Sequence, residues 1–513
     1  MSLLLVLCSA LFLIPSECRS AASQEFVLQE IYISSIVVDN NRIIPEDALK
    51  KMTSTYLNRR ITYVDLELLR NNLTLWVIQN GYINSGVIIP DQDISGGVVH
   101  LAVIEGKLLS INIEGNSHFS KDYFVDRISR STDPPFRISS LQEAFQILYQ
   151  DQRITAINAE LAGGLAPGES ILNIRVSETS PWQLTLSATN DNSPSIGSYH
   201  GSLLAAHRNL TGCGDTLEAS FGGSEGGYDY GARYSRPLTS ADTMLDIYFR
   251  KGDATVIDPL FKPLEIRSSS STYGGRISHP LVKDLRREVR ASVIGEYRES
   301  KNFLLGEGFS FSTHEKDGLS RFSVLRPGLE WIERRDGTVF VGSTLFSTGV
   351  IDEGFFTWQG RLLWMQQTGV LGSRVHLRGE AQLADTDLPP MEKYALGGMN
   401  SVRGYRKNVL IKDNGINASL EWWFPLIRDS ITGGEYFSVA PFFDYGRGWD
   451  SGHETEDAGK ATDLASVGLG FRWAWKGLSV DFFYGYGMLK SGITTGHDPQ
   501  EHGIHFAVTW NAL

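Results

Sequence analysis

The sequence predicts two fold classes joined end to end: a pair of α+β repeats over residues 26 to 179, then a transmembrane antiparallel β-barrel of about sixteen strands from residue 180 onward. Three observations predict it. The order strand, helix, helix, strand, strand occurs twice, and Glu105 and Glu178 close the two copies at the same point. After Pro181 no helical stripe recurs, and short segments of alternating polarity follow one another between Gly, Asn, Asp and Pro. The composition agrees, because 52 Gly, 25 Phe, 19 Tyr and 11 Trp suit strands and turns better than helices.

The long apolar run of the chain is LLLVLCSALFLI at residues 3 to 14. It is shorter than the roughly 20 residues a spanning helix needs. Ser20 and Ala22 follow it at cleavage-site spacing, so residues 1 to 22 read as a secretory signal peptide, although the usual basic opening is missing. A buried N-terminal helix is the alternative. Cys8 and Cys18 fall in that segment, which leaves Cys213 as the cysteine of the mature chain, without an intramolecular disulfide or a cysteine metal spacing. Residues 23 to 25 leave little chain before the first repeat, so no N-terminal plug helix is expected. A net charge of -12 argues against a nucleic-acid partner.

The first repeat, residues 26 to 106, opens on the strand-like EIYISSIVV and continues into PEDALKKM, with Pro45 in the first turn of a helix. Thr62 and Asp65 stand in capping-box spacing ahead of a second helix, whose stripe is Leu66, Leu69, Leu73 and Trp76. Asn80 and Gly81 stop it. Two strands follow, the second with Val99, Leu101 and Val103 alternating. The second repeat, residues 107 to 179, has the same order: LLSINIEGN, helix SKDYFVDRIS, helix SSLQEAFQILYQ with Ser140 and Glu143 capping, then ITAINAEL and SILNIRVSE. Such a unit leaves open sheet edges that an extended peptide can pair. A spacer without a ligand is the plainer alternative.

In the third part, GFRWAWKG sets Phe471, Trp473 and Trp475 against Arg472, Ala474 and Lys476. A barrel wall accounts for this pattern, with aromatics toward lipid and charges toward a wet lumen. WQLTLSATN, TLEASFGG, YDYGARYSRP, MLDIYFRKG, FFTWQGRLLWM, RVHLRGEAQL, INASLEWWFP and IHFAVTW repeat it. A soluble sandwich or propeller explains the tryptophans less well. A barrel of this size leaves an aqueous channel.

Catalytic chemistry is not expected. No phosphate-cradling G-x-x-x-x-G-K-[ST] and no G-x-S-x-G elbow occurs. Gly222, Gly223, Gly226 and Gly227 open no helix and read as a turn. His314-Glu315 and His453-Glu454 lack a second histidine four residues on, and His497, His502 and His505 have no fixed ligand spacing, so no metal and no cofactor is expected.

GGMNSVRGYRKN, at 397 to 408, places Arg403, Arg406 and Lys407 in a glycine-rich stretch among membrane strands. With GYINSGVIIPDQDISGGVVHLAVIEG and INIEGNSHFSKD in the repeats, and NLTGCGDTLEASFGG, YGARYSRPL, YRESKNFLLGEGFSFS and FFDYGRGW in the barrel, the chain resembles the two-partner secretion transporters of the haemolysin-activator type. The resemblance covers essentially the whole mature chain. It implies two POTRA domains in the periplasm, a sixteen-stranded barrel in the bacterial outer membrane, and a long extracellular loop, here about 385 to 414, folded back into the lumen. The family's V-R-G-Y/F loop motif matches Val402, Arg403, Gly404 and Tyr405. Its F-x-D-x-G wall motif matches Phe442, Asp444 and Gly446. The resemblance implies that Arg403 pairs with Asp444 and locks the loop in place. It implies as partners a large unfolded exoprotein as the client, outer-membrane lipid, and the barrel assembly machinery for insertion. The chain departs from many such barrels by ending in WNAL, with Trp510 three residues short of the C-terminus. An outer-membrane assembly factor is the nearest alternative, favoured less because those factors usually carry more repeats. A passive porin is a further one, and it would need neither the repeats nor the loop lock.

Overall fold

A computed structural model describes residues 30–349, 354–428, 434–451, 460–490 and 498–513. The expected signal peptide, Cys8 and Cys18, His453-Glu454 and His497 lie outside the described residues.

The first repeat packs two helices on a small mixed sheet. Strand Ser35–Asp39 runs parallel to Val98–Ile104, and Gly86–Ile88 pairs antiparallel on the other side. Thr62 and Asp65 make the capping box that starts helix Tyr63–Gln79: the Asp65 amide donates to Thr62 Oγ1 at 3.3 Å, and the Thr62 amide donates to Asp65 Oδ2 at 2.8 Å. The buried stripe of that helix is Leu66, Leu69, Leu73 and Val77. Trp76 flanks it, because the 3.6-residue period carries the centre of the face one position beyond the expected tryptophan. Pro45 is the N-cap of helix Glu46–Thr53 and does not enter its first turn. Val99, Leu101 and Val103 fill the core from the sheet side.

The second repeat has a three-stranded sheet ordered Lys107–Glu114, Glu169–Glu178, Ile154–Gly163, with helices Lys121–Ser129 and Ile138–Tyr149. Ser120 caps the first helix through the Tyr123 amide at 3.2 Å. The expected Ser140 cap is not formed. The extended backbone of Arg137 already begins the second helix at Ile138, so Ser140 lies inside the first turn and its amide donates to the Arg137 carbonyl at 3.2 Å. Glu178 instead closes the repeat, its carboxylate accepting from the amides of Ser117, His118 and Phe119.

From Trp182 onward, sixteen spanning strands close into a barrel, and Ile504–Asn511 pairs back onto Trp182–Thr189. The wall has two faces of opposite character. Along strand Asn414–Arg428, Leu420 and Trp422 are exposed while Ser419, Glu421 and Trp423 are buried. Trp473 and Trp475 are exposed on the outside, whereas Arg472 meets Asp481 Oδ1 on the inside at 2.6 Å. A row of exposed Leu203, Phe221, Ile247, Ile277, Val293 and Leu329 continues the outer apolar band. Gly222 and Gly223 lie within strand Thr216–Ser224, and the turn itself is Glu225-Gly226. Short turns gather at the end nearest the second repeat, whose Ser120 amide donates to the Gly212 carbonyl at 2.9 Å. At the other end, the chain from 385 to 413 leaves strand Arg374–Ala384, pairs with itself as Tyr394–Leu396 against Leu410–Lys412, and returns as strand Asn414–Arg428.

Candidate functional site

The inner face of two adjacent strands forms the seat for the tip of that loop. In Asn414–Arg428 and Glu435–Trp449 the register sets Ser419 opposite Asp444 and Glu421 opposite Phe442. Side chains alternate across a strand, so Asp444 and Phe442 share the face that Phe443 leaves, and Phe443 is exposed outward. The wall therefore offers two carboxylates, a hydroxyl and an aromatic ring at one level of the lumen.

Arg403 fills this seat and is fully buried, as is Asp444. Its Nε donates to Asp444 Oδ2 at 2.8 Å and its Nη2 to Asp444 Oδ1 at 2.6 Å, the two parallel bonds that a planar guanidinium makes to a carboxylate. The Arg403 backbone amide adds a third bond to Asp444 Oδ2 at 3.0 Å. Nη1 donates to Glu421 Oε1 at 2.7 Å and Nη2 to Ser419 Oγ at 2.8 Å. The guanidinium carbon lies 3.6 Å from the centre of the Phe442 ring and 4.8 Å from that of Phe483, a cation–π contact on the ring faces. Arginine keeps its charge in proteins, so the seat holds a permanent cation against acids.

The remaining motif residues make that approach possible. Gly404 has φ +91°, and a Cβ there would lie 3.0 Å from Gly485 C and from Gly487 N on the facing strand. Both the left-handed backbone and the contact of main chain with main chain require glycine. Gly446 makes room for Val402, whose Cγ2 would lie 2.7 Å from a Cβ at that position. Val402, Tyr405, Leu396 and Leu464 pack together as a small apolar cluster. The Tyr405 hydroxyl lies 2.9 Å from the carbonyl oxygens of both Ala465 and Leu489 and accepts from the Leu489 amide at 3.1 Å.

All seven residues expected from sequence, Val402, Arg403, Gly404, Tyr405, Phe442, Asp444 and Gly446, thus meet in one place. Sequence reasoning missed Glu421, which also accepts from Arg378 Nη2 at 3.0 Å and from Trp423 Nε1 at 2.7 Å. The inward parity of INASLEWWFP was the available signal, since Ser419 and Glu421 fall on the face opposite the lipid-facing Leu420. It missed as well the partners of the other loop cations. Lys407 Nζ donates to the Asp191 carbonyl at 2.6 Å, the Lys407 amide to Gln500 Oε1 at 2.8 Å, and Arg406 comes within 3.6 Å of Glu501. His505 is buried beside the tip, with its Nε2 3.4 Å from the Gly404 amide. Among the described residues, His502 and His505 belong to no group of acids, cysteines and histidines spaced to hold a metal ion.

The chain as a whole is similar to known proteins. The family model described as haemolysin secretion/activation protein ShlB/FhaC/HecB matches residues 168–473, and the model of the ShlB-type POTRA domain matches residues 31–106. The Heme/hemopexin transporter protein HuxB of Haemophilus influenzae (strain 86-028NP) is 23% identical over 465 residues, covering 85% of this chain and 79% of its own. Among solved structures, CdiB from Escherichia coli is similar with a TM-score of 0.68 at 19% identity, covering 96% of this chain and 92% of that one. BamA from Haemophilus ducreyi lacking POTRA domains 1-3 shares the fold at a TM-score of 0.59 and 12% identity, over 94% of this chain and 100% of that one.

Proposed function

The chain belongs to the ShlB/FhaC/HecB family of haemolysin secretion/activation proteins, and from that premise we propose how this outer-membrane transporter of two-partner secretion moves its exoprotein. The POTRA-type domains lie in the periplasm and take the client as an extended segment. Strands Lys107–Glu114 and Ile154–Gly163 are the two edges of the second sheet, and such an edge binds a peptide mainly through main-chain hydrogen bonds. The client is large and unfolded, threads the lumen as a hairpin and folds outside, and folding at the surface gives direction without a nucleotide. The seat of Arg403 on Asp444, Glu421 and Ser419 locks the loop inside the lumen until a client displaces it. Outer-membrane lipid surrounds the wall, and the barrel assembly machinery inserts it. We assign the chain no catalytic step, no metal and no cofactor.

The single observation that carries this reading is a fully buried, multiply bonded arginine at the tip of a loop inside a closed barrel. The test is co-expression with a candidate large secreted client, using the intact transporter and a form lacking residues 24 to 179. Client should reach the medium with the intact chain alone, while the truncated barrel still inserts. Equal export with and without the repeats refutes the proposal.

A further inference from the structure

The loop has a second charged anchor before its tip. Glu392 is 5% exposed, and Arg326 grips it with both ends of its guanidinium, Nη1 to Oε2 at 3.0 Å and Nη2 to Oε1 at 2.7 Å. Arg298 adds Nη1 to Oε1 at 2.5 Å and bonds the Met391 carbonyl at 3.0 Å. The two arginines stand on strands Arg287–Leu304 and Leu319–Arg335, and three further strands separate these from the strands that hold the tip. Arg326 is 6% exposed, donates to Ser347 Oγ at 2.7 Å and reaches Glu296 Oε2 at 3.4 Å; Glu296 in turn accepts from the Tyr248 hydroxyl at 2.6 Å. Arg250 reaches Glu296 Oε1 as well, at 3.4 Å, so three cations face two anions and both acids are fully compensated. Leu388, fully buried with Phe322, Val324 and Phe355, packs the same limb on the same wall.

The two anchors have opposite polarity. At the tip the loop supplies the cation and the wall the acids, whereas at Glu392 the loop supplies the acid and the wall the cations. Such a mirrored arrangement specifies register, because the loop cannot slide and exchange one seat for the other without setting like charges together. The seats also rest on different strand pairs, so neither depends on the other for its partners. Releasing Arg403 alone leaves the entering limb held at Glu392.

We propose that Glu392 is a positioning residue of the transporter, a second latch that holds the entering limb of the loop against Arg298 and Arg326, so that full clearance of the lumen requires both latches to release. This rests on the reading of the loop as the removable obstruction of the pore. Purified full-length protein in planar lipid bilayers tests it without any client. Breaking one side of a buried pair is strongly unfavourable, so Glu392→Lys should raise the time spent in high-conductance states by about tenfold or more. Glu392→Lys with Arg326→Glu restores one opposite-charge pair and leaves the numbers of cations and anions in the cluster unchanged. It should return conductance part of the way to the parent, the remainder being lost to Arg298 and Glu296, which then face like charges. Glu392→Lys with Arg403→Ala should give larger openings than either change alone. Heat-modifiable mobility on gels identifies folded barrels, and the swapped variant keeps the test decisive if the single one misfolds. A folded Glu392→Lys protein that conducts like the parent overturns the proposal, as does a swap that conducts no less than Glu392→Lys alone. Export of a client by cells producing the parent, scored in a separate assay, reports on the transport reading.

Discussion

Removing Arg403 and removing Asp444 should not be equivalent, although both belong to the same ion pair. Arg403→Ala leaves two buried acids on the wall. Glu421 keeps Arg378 and Trp423, but Asp444 loses the guanidinium that made two of its three bonds. Breaking a buried pair from one side costs about 3–5 kcal/mol. At about 1.4 kcal/mol per tenfold, the seated tip is then disfavoured by roughly two to four powers of ten. Asp444→Ala leaves Arg403 with Glu421 at 2.7 Å, Ser419 at 2.8 Å and the Phe442 ring at 3.6 Å. The cation stays paired, so its unseating should fall at the low end of that range. Single-channel recording measures the fraction of time open, and export of client measures the consequence for transport. We expect the open fraction to rise in the order parent, Asp444→Ala, Arg403→Ala, with secretion falling in the same order and the barrel assembled in each. Equal open fractions for the two variants, or a closed Arg403→Ala channel, would refute the role given to Glu421 and to the lock.

Two further outcomes follow from the same geometry. Gly404→Ala puts a Cβ 3.0 Å from two backbone atoms at φ +91°, a strain of about 1–3 kcal/mol, and should give open fractions between those of the parent and Arg403→Ala. At the junction of the second POTRA-type domain with the barrel, burial alone would raise the Asp242 pKa, but Lys283 and Arg127 beside it hold it below the usual carboxylate range. Its folded value lies below its unfolded one. The stabilisation is therefore complete above about pH 4, the unfolded range, and is lost as pH falls through the lower folded value. Hydrogen exchange at residues 238–243, corrected for intrinsic rate, should be unchanged between pH 8 and 5 and should rise only in stronger acid, while Asp242→Asn should raise it already at neutral pH.

The architecture was legible because both halves repeat a simple period. Trp473 and Trp475 on alternate positions report a strand with one face in lipid, and Thr62 with Asp65 reports a helix start from four residues alone. The Ser140 start was misread because the same signal has meaning only where the preceding backbone turns extended, and Arg137 did so first. Arg403 and Asp444 were legible through short motifs. Glu421 carries no motif, and its role depends on the register of Asn414–Arg428 against Glu435–Trp449, which is a property of the closed sheet. Glu392 was further out of reach, because its partners Arg298 and Arg326 stand 94 and 66 positions away and on strands that nothing local pairs with the loop.

On the proposed reading, in which the loop leaves the lumen during transport, charged seats suit it. An apolar plug of the same size would be held by the hydrophobic effect, and every displacement would expose its whole contact area to water at about 25 cal/mol per Å². A buried ion pair behaves differently. Its closed state gains Coulomb attraction and loses hydration, its open state regains hydration on both partners, and the two nearly cancel when the pair separates as a unit. The lumen supplies the water that makes this exchange available. What the pair contributes is position, because the bidentate geometry of Arg403 on Asp444 and of Arg326 on Glu392 admits one register and one orientation. The small apolar cluster of Val402, Tyr405, Leu396 and Leu464 then supplies modest holding strength at a site the charges have already chosen. A loop built this way can be seated reproducibly and still be displaced by a polypeptide entering the same wet channel.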